Sequence, residues 1–209
     1  MSLGDLGETL VQAGIYDEAR AVIVEAVDEA RRNGLQVNVI WGSAQLGILD
    51  LVEGDYESAC RALTAARANA PNVGVYSFEA EALFGLGYAQ LGLGERPRAR
   101  ATFSELLELA SGSGRTFHPE VALAVSGLAL SLEPAGFGQG ARLRGAITAH
   151  RADHGLKTWM SGRNDELESR FEQPLIDALG LEAYETERAT GAAMSLEETI
   201  ELARSLSDS

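Results

Sequence analysis

Three segments of this chain repeat one another at a spacing of 40 residues: LGETLVQAGIYDEARAVIVEAV from Leu6, LGILDLVEGDYESACRALTAAR from Leu46 and LGYAQLGLGERPRARATFSELL from Leu86. A fixed period of this size means that each stretch forms one supersecondary unit, which buries its apolar face by stacking on its neighbours. The shared columns say what the unit is. Leu6, Leu46 and Leu86 followed by Gly7, Gly47 and Gly87 let a second backbone approach the first helix closely. Gly14, Gly54 and Gly94 follow apolar-periodic runs, where a residue tolerating positive φ ends a helix. Ala19, Ala59 and Ala99, each followed four residues on by Ile23, Leu63 or Phe103, give the second helix one apolar face. Each unit is therefore expected to be a helical hairpin, and these glycines are structural positions rather than ligand loops.

Caps, breakers and periodicity extend that reading along the chain. They predict helices near 4–13, 16–33, 37–53, 56–69, 75–92, 96–112, 119–132 and 139–154, then three more near 165–179, 181–191 and 196–206. The stretch from Pro119 onward reads as a fourth hairpin with a degenerate Gly-rich turn, Pro119 suiting a first helical turn and Pro134 a break. LQVNVIW (Leu35 to Trp41) alternates in the manner of a strand, but the 40-residue register assigns it to a helix start. Beyond Lys157 a polar linker (Ser161 to Asn164) leads into an acidic helix with Leu167, Phe171, Leu175 and Leu179 at four-residue spacing. Ser195 and Glu198 then form an S-x-x-E capping box that opens a final amphipathic helix.

The repeats resemble the tetratricopeptide family, the middle one most clearly, since Leu46, Gly47, Gly54, Tyr56, Ala59, Leu63, Ala66 and Pro71 occupy the family positions in one register. Ser43 and Asp50 stand where that family commonly carries large aromatics, and the 40-residue spacing exceeds the usual ~34. The resemblance implies an all-α, right-handed helical-hairpin solenoid: about four hairpins over residues 1–156, closed by an acidic helical cap over 157–209 packed on the array. An open helical solenoid needs such a terminal cap.

A second, more specific resemblance rests on ARLRGAITAHRADHG (Ala141 to Gly155), the linker, and LIDALGLEAYETERATGAAMSLEETIELA (Leu175 to Ala203). It is similar to the closing region of large multidomain bacterial ATPase regulators of LuxR type, and covers nearly the whole chain. That implies a non-catalytic scaffold or sensor region of a signal-responsive transcriptional regulator, binding a protein, a peptide or another domain of the same polypeptide. No lysine-bearing phosphate loop, cyclase-like segment or basic helix-turn-helix is present, so the ATPase and output functions would lie elsewhere. MSL followed by a shortened first repeat fits an expression start on a fragment of a longer protein.

Composition narrows the function. Thirty-one acidic residues against 17 basic ones give a formal charge of −14, which opposes direct binding to a nucleic-acid backbone. Most of the imbalance lies at the carboxyl end, where residues 164–209 hold twelve acidic side chains against three arginines. A solvated helical face is the simplest use of such a run. No apolar stretch of bilayer-spanning length occurs, the opening residues lack the pattern of a secretory leader, and a single Cys60 permits no internal disulfide. A cytoplasmic protein without membrane contact is expected.

Candidate chemistry is sparse. His150 and His154, at i,i+4, could face one metal, yet no H-E-x-x-H surrounds them, so neither a metal site nor a cofactor is expected. Cys60 beside Ala59 suits a small buried position, and Asp55 and Glu57 after the Gly54 turn suit the amino end of the next helix. No catalytic residue is assigned. The first helix of each pair is the expected partner-facing element, with Asn38, Asp50, Glu79, Tyr88 and Gln90 as candidate contacts: the polar groups to clamp a backbone or a charge, the aromatic to anchor an apolar side chain. A small-molecule inducer held in a closing groove is the alternative reading, and an all-helical enzyme using the histidines a more distant one. Oligomeric state is left open.

Overall fold

The computed structural model describes residues 3–73, 76–112, 119–155 and 163–207. Among these residues every regular element is helical. In chain order they are α1 (Leu3–Gln12), α2 (Tyr16–Arg32), α3 (Gln36–Glu53), α4 (Tyr56–Asn69), α5 (Tyr76–Gly92), α6 (Arg96–Ser111), α7 (Pro119–Ser131), α8 (Phe137–Asp153), α9 (Arg163–Leu179), α10 (Leu181–Ala192) and α11 (Leu196–Ser207). Two single turns of 3-10 helix, Ala70–Val73 and Pro134–Gly136, stand where the prolines break the pattern. The fold is all-α and built from helical hairpins. LQVNVIW enters a helix from Gln36, as the repeat register requires. His118, Lys157, Ser161 and Gly162 lie outside the described residues.

Contacts divide the chain into two compact units, Met1–Leu93 and Gly94–Ser209. The boundary falls between the two helices of the third repeat, and α9 to α11 fall in the same unit as α6 to α8. In the first unit α1 packs on α2, α2 on α3, α3 on α4 and α4 on α5. In the second, α7 joins α6 to α8, α10 lies along α8, and α9 and α11 both contact α7 and α8.

The repeat columns account for the first unit. Gly14 and Gly54 have φ of +77° and +87°, and each is followed by an amide reaching back five residues, Ile15 to Leu10 O at 3.0 Å and Asp55 to Asp50 O at 2.9 Å. This is the left-handed helix stop that an L side chain resists. Asp55 then caps α4, and accepting from the Ser58 hydroxyl at 2.6 Å and from the Ser58 amide at 3.0 Å holds its carboxyl below the usual carboxylate range. Ala19, Ile23, Ala59 and Leu63 are fully buried.

The second unit is centred on α8. Gly145 of α8 and Gly191 of α10 each face the other helix's backbone, so closely that a Cβ at either would collide with the carbonyl of Arg188 or Arg142. Gly127 of α7 accepts the Phe103 ring in the same way, and it continues the Gly7, Gly47, Gly87 column by a further 40 residues. Ser195 and Glu198 form the reciprocal cap of α11, the Ser195 amide donating to Glu198 Oε2 at 2.7 Å and the Glu198 amide to Ser195 Oγ at 3.2 Å.

Candidate interaction cleft

In the first unit, α1, α2, α3 and α5 enclose a cleft of about 470 Å³. Its residues recur at helical spacing. Asp5 and Glu8 lie three apart on α1, and Asn38 and Trp41 three apart on α3. Phe78 reaches it from the first turn of α5, and Glu29 from the last turn of α2. Three carboxylates and Asn38 share the lining with aromatic and aliphatic residues, and no Lys, Arg or His is among the residues that form it. Asn38, Asp5 and Glu29 are exposed, while Trp41, Phe78 and Glu8 are half-buried.

One turn further along the same faces, Gln45 of α3 and Glu81 of α5 are both buried, and the Gln45 amide donates to Glu81 Oε1. Burial, and then the neighbouring charge of Glu8, push the Glu81 carboxyl up to about 8, against the opposing effect of the Gln45 bond. Glu81 is therefore largely neutral at pH 7. It ties α3 to α5 beside the cleft without adding a full charge to it.

The five candidate contacts meet different fates. Asn38 lines the cleft. Asp50 is engaged by Arg20 of α2 at 2.8 Å, which also holds Glu53 at 2.7 Å, so the pair joins two helices. Glu79 is half-buried on α5. Tyr88 is fully buried with its ring 4.9 Å from that of Phe84, and Gln90 is 8% exposed; for these two, burial replaces the expected partner-facing side chain. The physical reason is that α5 is apolar on nearly all sides, from Ala80 to Leu91. Trp41, Phe78, Asp5, Glu8 and Glu29 were not singled out from the sequence. The three-residue spacing of Asn38 and Trp41 is the signal that could have found the α3 contribution.

The second unit holds a buried ionic cluster. Arg144 of α8 donates to Glu168 at 2.6 Å, to Glu172 at 2.9 Å and to the Ser126 hydroxyl of α7, while Arg151 reaches Glu168 at 3.0 Å. The Tyr184 hydroxyl of α10 donates to Glu172. Burial alone would lower the Arg144 pKa and raise those of Glu168 and Glu172, but their mutual attraction and hydrogen bonding outweigh it and favour the charged forms. This cluster joins four helices, and Arg151 Nε is buried beside it without a hydrogen-bond partner. The rings of His150 and His154 stand 6.4 Å apart, and His154 Nδ1 lies 2.9 Å from the His150 carbonyl. No group of three His, Cys, Asp or Glu suited to a metal occurs among the described residues. Nor, among them, is any helix long and apolar enough to cross a membrane.

A family model described as tetratricopeptide repeat matches residues 81–113. The match covers most of α5 and all of α6, the third sequence repeat, rather than the second, whose residue pattern resembles the family most closely. The chain therefore contains a tetratricopeptide-like region, a kind of repeat that generally mediates contacts between proteins. Neither a comparison with curated proteins nor one with solved structures returns a match.

Proposed function

We propose that this chain is a non-catalytic protein- or peptide-binding scaffold that receives its partner in the cleft between α1, α2, α3 and α5. The observation that carries this reading is the lining itself. Trp41 and Phe78 offer apolar anchoring area, and Asn38 with three carboxylates offers orienting groups, all on a rigid helical frame. The tetratricopeptide match at residues 81–113 supports the general role. In the fuller form of the proposal, α1 to α8 supply four repeat hairpins and α9 to α11 close them. The whole serves as the sensor region of a bacterial LuxR-type regulator whose ATPase and output domains lie on flanking sequence.

Two experiments test this. Immobilised wild-type chain is expected to retain a partner from extract of its source cells, and a W41A/F78A variant with unchanged circular dichroism is expected to lose it. Equal retention by the variant would move binding away from the cleft, and failure of the wild type to retain any protein would overturn the scaffold reading. The native reading frame around this segment tests the regulator context: flanking ATPase and output domains support it, and a reading frame of 209 residues removes it.

The cleft volume of about 470 Å³ also falls in the range of small-molecule sites, which keeps an inducer as the second reading. Equilibrium dialysis against candidate effectors of the source organism, with W41A/F78A as control, separates the two.

A further inference from the structure

We infer that the Gln45–Glu81 pair is a proton-operated latch on the cleft: while Glu81 keeps its proton, α3 and α5 stay tied and the cleft holds its shape, and when the proton leaves, the wall bearing Trp41 and Phe78 parts. As a control on partner binding the latch rests on the scaffold reading, although the movement itself needs no partner.

The pair is placed to act on the cleft. Gln45 lies one turn beyond Trp41 on α3 and Glu81 one turn beyond Phe78 on α5, so each half shares a helix face with one aromatic of the lining. The 40-residue register agrees. Asp5 and Trp41, which line the open cleft, hold the positions that Gln45 and Glu81 hold one repeat later, where the two side chains are buried and bonded. Parting the pair therefore extends the cleft by one repeat.

The chemistry of the pair makes it sensitive to one proton. A protonated carboxyl and a primary amide each carry a donor and an acceptor, so the neutral pair satisfies itself away from water. A carboxylate opposes the amide carbonyl with a second acceptor, and at Glu81 its charge would be 8% exposed on a helix that is buried from Ala80 to Leu91. The groups around it offer no compensation. Glu8 of α1 faces it with a like charge, α3 presents the uncharged Gln45, and Asp50 further along α3 is paired with Arg20. The turn Ala70–Val73 has no ionisable side chain, and neither Glu57, Arg61 and Arg67 of α4 nor Glu79 of α5 contributes to its field. An ionised Glu81 is relieved only by water, which the cleft one turn away supplies. With the carboxyl pushed up to about 8, the latch is closed below that pH and opens as pH rises through it.

Acrylamide, an uncharged quencher, reads the exposure of Trp41 in the full chain, with W159F removing the second of its two tryptophans. The quenching constant of W159F is expected to rise about twofold from about pH 6 to about pH 9 with one midpoint near 8, while E81Q/W159F keeps the low-pH value throughout. At about pH 6, where ordinary carboxyls are ionised, infrared difference spectra should show a protonated-carboxyl band that titrates over the same interval and is absent from E81Q. A partner retained from extract at about pH 6 should elute from the wild type at about pH 9 and remain on E81Q.

Parallel quenching curves in W159F and E81Q/W159F, or a flat curve in W159F, would overturn the latch and leave the scaffold reading standing. Loss of the Glu81 band already at about pH 6 would do the same. Elution of the partner from wild type and E81Q at one pH would overturn the control of binding. A W159F curve that titrates, beside a W41A/F78A variant that still retains its partner, would overturn the scaffold reading and the control of binding together.

Discussion

The side chain of Leu63 lies against the bare Cα of Gly85: a Cβ placed there would stand 2.8 Å from Leu63 Cδ1. On its other side Leu63 meets Gly47, where a Cβ would stand 2.8 Å from Cγ. One residue of α4 is thus held between glycines of α3 and α5, so the Leu–Gly column and the large-apolar column of the repeat are two halves of one contact.

Gly47→Ala and Gly85→Ala are therefore expected to destabilise the fold. Alanine gains about 1 kcal/mol of helix propensity over glycine, but forcing a methyl into this packing costs about 1–3 kcal/mol. At Gly85 both obstructing groups, Leu63 and Ile48, are fully buried and have little room to yield, so its net effect should be the larger. Gly138→Ala is the control. It lies in α8 with nothing within 4 Å of the added Cβ, and should leave stability unchanged or raise it by a few tenths of a kcal/mol. Urea unfolding followed by circular dichroism reads all three.

Gly145→Ala and Gly191→Ala should be more damaging. Their obstacles are the backbone carbonyls of Arg188 and Arg142, which no rotamer change relieves, so α8 and α10 must separate. A loss of ~3 kcal/mol or more is expected. Amide hydrogen exchange should show reduced protection in α8 and α10 first, and uniform loss across the second unit would show that the crossing is not a local weak point.

Removing Arg144 leaves Glu168, which is 2% exposed, with Arg151 alone among its ion-pair partners. Arg144→Met is expected to cost about 3 kcal/mol, because one buried charge then lacks its main compensation. Both Glu168 and Glu172 have pKa values below the ordinary carboxylate range. A depressed carboxylate contributes stability above its unfolded pKa and loses it as pH falls through the folded one. The wild-type chain should accordingly lose stability below about pH 4.5, and Arg144→Met should lose less over the same interval. Equal acid dependence of the two proteins would count against the cluster as a major source of it.

Glu81 behaves in the opposite sense. Its folded pKa of about 8 lies above the ordinary 4.5, so between these values the folded state binds the proton that the unfolded state releases. Stability contributed by the neutral form is full below pH 4.5 and declines as pH rises through 8, by up to a few kcal/mol in all. Glu81→Gln keeps a carbonyl oxygen to accept from Gln45 and removes the titration. It should match the wild type near pH 5 and exceed it at pH 8, and thermal unfolding across that range checks the crossover.

Much of the local structure was legible before any coordinates. The expected helices agree with α1 to α11 to within about two residues at each end, because glycine stops, the Asp55 cap and the Ser195–Glu198 box act through neighbours in sequence. The fourth glycine of the column, Gly127, was passed over because the columns around it change to Ser126 and Pro134. Tyr88 and Gln90 carry polar atoms that suit an exposed face, and the apolar surroundings of α5 bury them instead.

Periodicity and caps, which operate over three to five residues, by themselves determined that the chain is a series of helical hairpins and that Gly14 and Gly54 end helices. Which faces meet was decided by tertiary structure alone. Arg144 and its partners lie 18 to 28 residues apart, and the cleft draws Asp5, Glu29, Trp41 and Phe78 from four helices. Such juxtapositions depend on how stacked helices rotate about their axes, and a rotation of one residue, about 100°, would turn Trp41 away from the cleft and leave every local signal in the sequence unchanged.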